Sequence, residues 1–288
     1  MPILSIIKAK GLKMAMLAGL GLLALPAFAK DDPMAVGNLR LSYAIYLGGI
    51  HLMDSTTEFT RNGPVYHVTM RAGTQGLVRR LIPWDAELNS KGTLVSETIK
   101  PMEGTIITRW KDEPAKVEFH YENGKEVKTV FEPPNKDDKN EPVPEALRQS
   151  ALDPLNGIVQ MMTGVAYGKG CAQTVPVFDG HRRFDVIMQD KGTAQLKGDG
   201  YSPFSGPANK CEVQFAMRAG TRKDREGSHF WDDEKNGARA PVHIYLAKVK
   251  NGLPPLPVRA ETDSFFGGVM VHLTNIEGGQ AQTAAKTP

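Results

Sequence analysis

Residues 39–47, Leu-Arg-Leu-Ser-Tyr-Ala-Ile-Tyr-Leu, decide the fold class. Leu39, Leu41, Tyr43, Ile45 and Leu47 alternate with Arg40, Ser42, Ala44 and Tyr46. Strict period two is the pattern of a strand with one buried face. Gly48-Gly49 breaks it as a turn and 50–60 resumes as a second strand, which completes a hairpin. Asn62-Gly63-Pro64 turns the chain into 65–72. Further strand candidates are 85–90, 94–99, 102–110, 115–121 and 126–131, with turn signals at Lys91-Gly92, Pro101, Asp112-Glu113-Pro114 and Asn123-Gly124. The second half adds 172–178, 184–188, 193–196, 208–218, 240–249, 257–261 and 268–274. Short strands at steady spacing predict a mainly β protein: a single curved antiparallel sheet, not βαβ units.

Three segments depart from the strand pattern. Residues 133–145, rich in Pro and charge, read as an exposed loop. The best helical stretch follows, near 153–163. Ser150 or Asp153 can cap it and Pro154 suits its first turn; Leu155, Ile158, Val159, Met161 and Met162 form an apolar face, and Gly164 and Gly168 end it. The Met161-Met162 pair reads as core filler or as a compliant lining for a lipid-like ligand. Residues 219–239 are polar, charged and Gly-bearing, the composition of a long solvated loop or hairpin tip.

The N-terminus reads as a targeting segment. Lys8, Lys10 and Lys13 precede an apolar run at 14–25, and Pro-Ala-Phe-Ala ends at Ala29. This is the three-part pattern of a secretory signal peptide, with cleavage expected after Ala29. The run is shorter than the roughly 20 residues that span a bilayer, and no Cys stands near the cleavage site to carry a lipid anchor. The expected product is exported, soluble and without a transmembrane anchor. Of the 288 residues, the 259 that remain carry 32 basic and 32 acidic side chains. That balance lacks the basic stripe of a nucleic-acid binder. The expected organisation is a cleaved leader at 1–29, one β-rich domain over 30–277 and a disordered tail at 278–288. Cys171 and Cys211 are the only cysteines. In an oxidising compartment an even count favours a disulfide. Closing the 40-residue loop between them contributes about 4 kcal/mol in the chain-entropy model.

Motifs that carry chemistry are missing. The seven histidines are scattered, with no HExxH, and neither GxSxG nor a GxxxxGK[ST] loop occurs. No catalytic residue, metal ligand or cofactor is expected. Glu58, Asp85, Glu87 and Asp185 are available as carboxylates, but their spacing picks out no acid–base pair. In 177–185, Asp179-Gly180 is a turn signal, Arg182 and Arg183 point to opposite faces, and Asp185 shares the face of Arg183. An inward Arg there can hold an anionic head group; a structural Asp–Arg pair at the rim is favoured, because such pairs are common. Trp84, Trp110 and Trp231 sit beside polar residues and suit the rim of a curved sheet or a bland edge position. The candidate ligand or rim residues are therefore Tyr43, Trp84, Ile158, Met162, Arg182 and Arg183.

The motifs LSYAIYLGG, RAGTQGLVRRL, DPLNGIV, VFDGHRRFDV, YSPFSGPANKC, LPVRAET and FFGGVMVHLT occur in this order. In them the chain resembles exported bacterial proteins grouped as domain of unknown function 3108, in an alphaproteobacterial form, over about residues 38–275. The resemblance implies a β-rich periplasmic protein and carries over no catalytic residue. The architecture is similar to the periplasmic lipoprotein-carrier fold, an open or spiral half-barrel with a helix packed at its apolar mouth. That likeness is a fold analogy only. The leading expectation is a non-enzymatic envelope protein that holds a lipid, acyl chain or other apolar ligand in the groove. A scaffold that binds another envelope protein is the alternative, and a hydrolase of envelope polymers comes third.

Overall fold

The computed structural model describes residues 32–34, 36–134, 141–198, 200–220, 240–264 and 266–279. The leader at 1–29 and its cleavage site, Trp231 with nearly all of the 219–239 loop, and the tail from 280 lie outside the described residues.

Strand β1 (Asn38–Leu47) forms where the alternation predicts it. Its neighbours are β2 (Ile50–Asn62) and β13 (Gly267–Gly278), both antiparallel. From β2 the chain meanders through β3 (Val65–Thr74), β4 (Trp84–Val95), β5 (Thr98–Trp110), β6 (Glu113–Glu122) and β7 (Lys125–Glu132). It then crosses to the opposite edge. There β8 (Gln173–Phe178), β9 (Arg183–Leu196), β10 (Gly206–Ala219), β11 (Val242–Ala247) and β12 (Leu256–Ser264) lead back to β13. The result is one antiparallel sheet of 13 strands among the described residues, ordered β7-β6-β5-β4-β3-β2-β1-β13-β12-β11-β10-β9-β8.

The two edge strands do not pair with each other, yet the curl brings their surroundings into contact. Phe119 of β6 meets Phe178 of β8 edge to face, and Phe131 of β7 lies against His181. The crossing segment covers this seam. Helix α2 (Glu145–Gln149) lies at β7, and Leu152 makes a parallel bridge to Val177 of β8. Exposed edges invite association, and the covering blunts them.

Helix α3 (Pro154–Ala166) enters the concave side. Asp153 caps it, accepting from the Leu155 and Asn156 amides, and Pro154 needs no partner for a missing N–H. Leu155 and Val159 are buried against Phe59, Tyr66, Val68, Leu94 and Ile99. Cys171 and Cys211 form a disulfide with Cα atoms 5.5 Å apart, inside a core that includes Val175, Val186, Met188 and Val213. It ties the segment after α3 to β10. Replacing either cysteine with serine is expected to remove up to about 4 kcal/mol and to lower Tm by about 10 °C; calorimetry with a free-thiol titration of the native protein checks both.

Several local expectations are corrected. Lys91-Gly92 and Pro101 are not turns; they lie within β4 and β5, which reverse at Ser96-Glu97. The register shifts between Lys91 and Gly92, a bulge that places Gly92 opposite Pro101. A Cβ on Gly92 would sit 2.6 Å from both the Tyr66 hydroxyl and the Lys100 carbonyl, so the glycine serves close approach. Gly164 does not end α3, which runs to Ala166; it admits the side chain of Gln173, whose amide donates to the Met161 and Gly170 carbonyls. The candidates 184–188 and 193–196 are one strand, β9. The 133–145 loop ends at Glu145, where α2 begins, and a six-residue helix α1 (Gly76–Leu81) joins β3 to β4. Both helices are too short to show a periodicity. Gly278 closes β13 and does not open the tail.

Candidate functional site

The inward stripe of the sheet is the face that the β1 alternation marks. Leu39, Leu41, Tyr43 and Ile45 line a cavity of about 500 Å³ together with Ile158, Val159, Met161, Met162 and Val165 of α3. Strands β2 and β3 present Ser55, Thr57, Met70 and Ala72 to the same space. Ser55 pairs with Ala72 in register. Small sheet residues and the helix thus share the wall of one void. Apart from the hydroxyls of Tyr43, Ser55 and Thr57, the lining is apolar, and no charged side chain belongs to it. Burial pushes the Tyr43 phenol well above its usual range, so it stays neutral. The volume lies within the roughly 300–1,000 Å³ of small-molecule sites.

A second cavity of about 360 Å³ continues the first. Val271 lines both. Along β11, Val242 belongs to the second cavity and Ile244 and Leu246 to the first. On β13, Val269 precedes Val271 in the same way. The two spaces thus follow one another along the strands, over about 13 Å from Val242 to Leu246 at strand rise. The far space is walled by Phe184, Phe215, Met217 and Ala260, with Arg182, Glu261 and Thr262 as its polar lining.

The helix is held by a buried polar cluster at its N-terminus. Asp153 accepts from Ser90 Oγ at 2.7 Å, from Tyr121 Oη at 3.0 Å, from the Asn156 side chain and from two helix amides. Tyr66 donates its hydroxyl to Asn156 Oδ1. Gly104 lies beside this carboxylate, where a Cβ would come within 2.7 Å of it. Burial pushes the Asp153 carboxyl above its ordinary range, against the donors of Ser90, Asn156 and Tyr121 that pull it down. The cluster lines neither cavity, so its role is to fix α3 at a set height in the sheet. The sequence marked Asp153 as a cap; its Ser90 and Tyr121 partners come from distant strands and carried no local signal.

The other candidate residues fall into three groups. Tyr43, Ile158 and Met162 line the first cavity, with Ile158 39% exposed. Arg182 lines the second while bonded to Asp179 through Nε. Arg183 and Trp84 line neither. Arg183 is buried, donates to the Leu147 carbonyl of α2 and pairs with Asp185, which also holds Arg218. Trp84 starts β4 opposite Trp110. Glu58, Asp85 and Glu87 are each bound by an arginine, Arg40, Arg79 and Arg71, and none lines either of these two cavities. Among the described residues no group of three or more His, Cys, Asp or Glu side chains is placed to hold a metal, and no helix is long and apolar enough to cross a membrane.

Partial burial pushes the Asp185 carboxyl up, and the guanidiniums of Arg183 and Arg218 more than offset it, holding it below the usual range. An Asp with a lowered folded pKa contributes stability that is complete above its unfolded pKa of about 3.9 and is lost as pH falls through the folded value. Acid titration of stability is therefore expected to lose this contribution below about pH 4. Asp185→Asn should flatten that limb in urea melts run from pH 6 downward.

Fold and cavity define a curled, open β sheet around an apolar lumen with an internal helix. The chain belongs to a family described as Protein of unknown function (DUF3108), whose model matches residues 42–274. No curated protein matches it. Among solved structures, it is similar to a β-barrel-like protein of domain of unknown function DUF1849 from Brucella abortus, at 11% identity and a TM-score of 0.47, over 85% of this chain and 99% of that one. The hypothetical protein CT021 from Chlamydia trachomatis follows at 10% identity and a TM-score of 0.28, over 86% of this chain and 90% of that one.

Proposed function

We propose that this is a non-enzymatic protein of the bacterial periplasm that binds a lipid acyl chain in the lumen. The observation that carries the reading is the first cavity, with an apolar lining free of charged side chains and a wall of methionines. Methionine thioethers adapt their shape to flexible chains. Export with removal of residues 1–29 is part of the reading, as is a single domain beginning near Lys30. Mass spectrometry of the periplasmic protein should find its N-terminus at Lys30 or within a few residues.

Native mass spectrometry of the same protein tests the ligand. Co-purified lipid, or displacement of a polarity-sensitive dye by long-chain fatty acids, supports it. Failure of dye and of every fatty acid to bind removes it. A second reading, a scaffold for another envelope protein, rests on β7 and β8 pairing with no further strand, so that the stretch of β8 before its bridge to Leu152 can add one. A protein that co-purifies at fixed stoichiometry while no lipid does would favour it.

A further inference from the structure

The two cavities differ in a way that bears on the chemistry of the ligand. No charged side chain lines the first, whereas Arg182, Glu261 and Thr262 give the second a polar lining. The second continues the first along the strands and shares Val271 with it, so a chain lying in the first can carry a polar group into the second.

The charges of that lining are already met. Arg182 pairs with Asp179: its Nε donates to Oδ2 at 2.9 Å and its Nη2 lies 2.7 Å from the same carboxylate. The other Asp179 oxygen, Oδ1, accepts from the His181 amide at 3.0 Å and the Arg182 amide at 2.7 Å, which fixes the pair in the turn. Glu261 accepts from the Tyr245 hydroxyl through Oε1 and pairs with Arg259 at 2.9 Å through Oε2. Each ionic group of the lining thus has its own counter-charge. Thr262 differs: its hydroxyl oxygen is buried and has no hydrogen-bond partner among the described residues. Buried polar atoms are nearly always bonded, so this hydroxyl in the cavity wall leaves a bond for a ligand to make.

We infer that the ligand of the lumen is an uncharged amphiphile, with its acyl chain in the first cavity and a hydroxyl- or ester-bearing head in the second, bonded to Thr262. The inference rests on the acyl-chain reading of the lumen and names the class of lipid. An ionised carboxylate or phosphate entering the second cavity would lie unpaired beside Glu261 or compete with Asp179 for Arg182. Burying an unpaired charge is strongly unfavourable, and breaking an ion pair strands the partner left behind. An uncharged head gives up only hydrogen bonds to water. The Thr262 hydroxyl can replace one of them, since it donates to an ester carbonyl and accepts from a hydroxyl.

The test is dye displacement from the full mature chain by two probes that share a palmitoyl chain. One is 1-monopalmitoylglycerol, whose head is uncharged; the other is palmitate at about pH 8, well above the pKa of a carboxyl group. The glyceride is expected to displace the dye at a concentration at least about tenfold lower, a difference of about 1.4 kcal/mol. A featureless apolar lumen would also favour the glyceride, so two variants decide. Thr262→Val removes the hydroxyl at similar shape; it should weaken the glyceride about fivefold and leave palmitate unchanged. Asp179→Asn keeps an Oδ1 acceptor for the turn amides but removes the charge; palmitate should gain about fivefold at the unpaired Arg182, and the glyceride should not change. Thermal melts check that both variants fold. Palmitate that binds wild type as tightly as the glyceride, Thr262→Val with the glyceride affinity intact, or Asp179→Asn with palmitate unimproved overturns the inference and leaves the acyl-chain reading standing. If neither probe displaces the dye, both fail.

Discussion

Ile158→Asp is expected to abolish binding of long-chain fatty acids while leaving the fold intact. Ile158 lies on α3 and lines the first cavity, but it is partly open to water. A carboxylate there stays hydrated when the cavity is empty and costs little stability. An acyl chain entering the cavity would strip that water, and the lining offers no cation to replace it. Burying a charge without a partner is strongly unfavourable. Kd should rise by about a hundredfold or more, which corresponds to about 2.7 kcal/mol or more. Dye displacement read beside a thermal melt checks it. A variant that binds chains as well as wild type would remove the cavity as the site. Met162→Leu serves as the control, because a volume-conserving apolar change costs little.

Asp153→Ala is expected to produce a large loss of stability. It removes the cap of α3 and leaves Ser90, Tyr121 and Asn156 with buried donors that have lost their acceptor. A lost cap costs about 1 kcal/mol and each unsatisfied buried group about 1–3 kcal/mol, not additively. The net loss should be about 3–5 kcal/mol, measured by urea denaturation. Ser90→Ala should cost about 1 kcal/mol, because it removes one donor and strands no acceptor that lacks other partners. If Asp153→Ala costs no more than Ser90→Ala, the carboxylate is not the centre of the cluster.

Much of the fold was legible from local pattern. The β1 alternation identified the inward stripe, because side-chain direction in a strand reverses at every residue. The turn residues at Gly48-Gly49, Asn62-Gly63 and Asn123-Gly124 stand where the structure turns, each with a glycine at positive φ. The apolar face of α3 was visible at helical spacing, and the α3 cap was one of two alternatives. Errors clustered where a residue type has two uses. Gly92 and Gly164 resemble breaks but serve close packing, and the groups that approach them, Tyr66 and Gln173, are remote or on the next element. The Arg183–Asp185 pair could be anticipated from sequence spacing, but the Arg182–Asp179 pair and the line between cavity wall and buried support could not.

Alternation, turn chemistry, capping and the cysteine pair are properties of neighbours along the chain, so the sequence by itself determined a β meander, one internal helix and the buried side of the first strand. The tertiary structure decided the rest. Whether apolar faces meet tightly or leave a void depends on side chains that face one another across the lumen. The 500 Å³ cavity takes its lining from Ser55 and Ala72 of β2 and β3 together with α3, more than eighty residues away in sequence. The height of α3 in the sheet is set by Ser90 and Tyr121 on β4 and β6 through Asp153. Each of these is a contact between segments whose separation is fixed only once the sheet has curled.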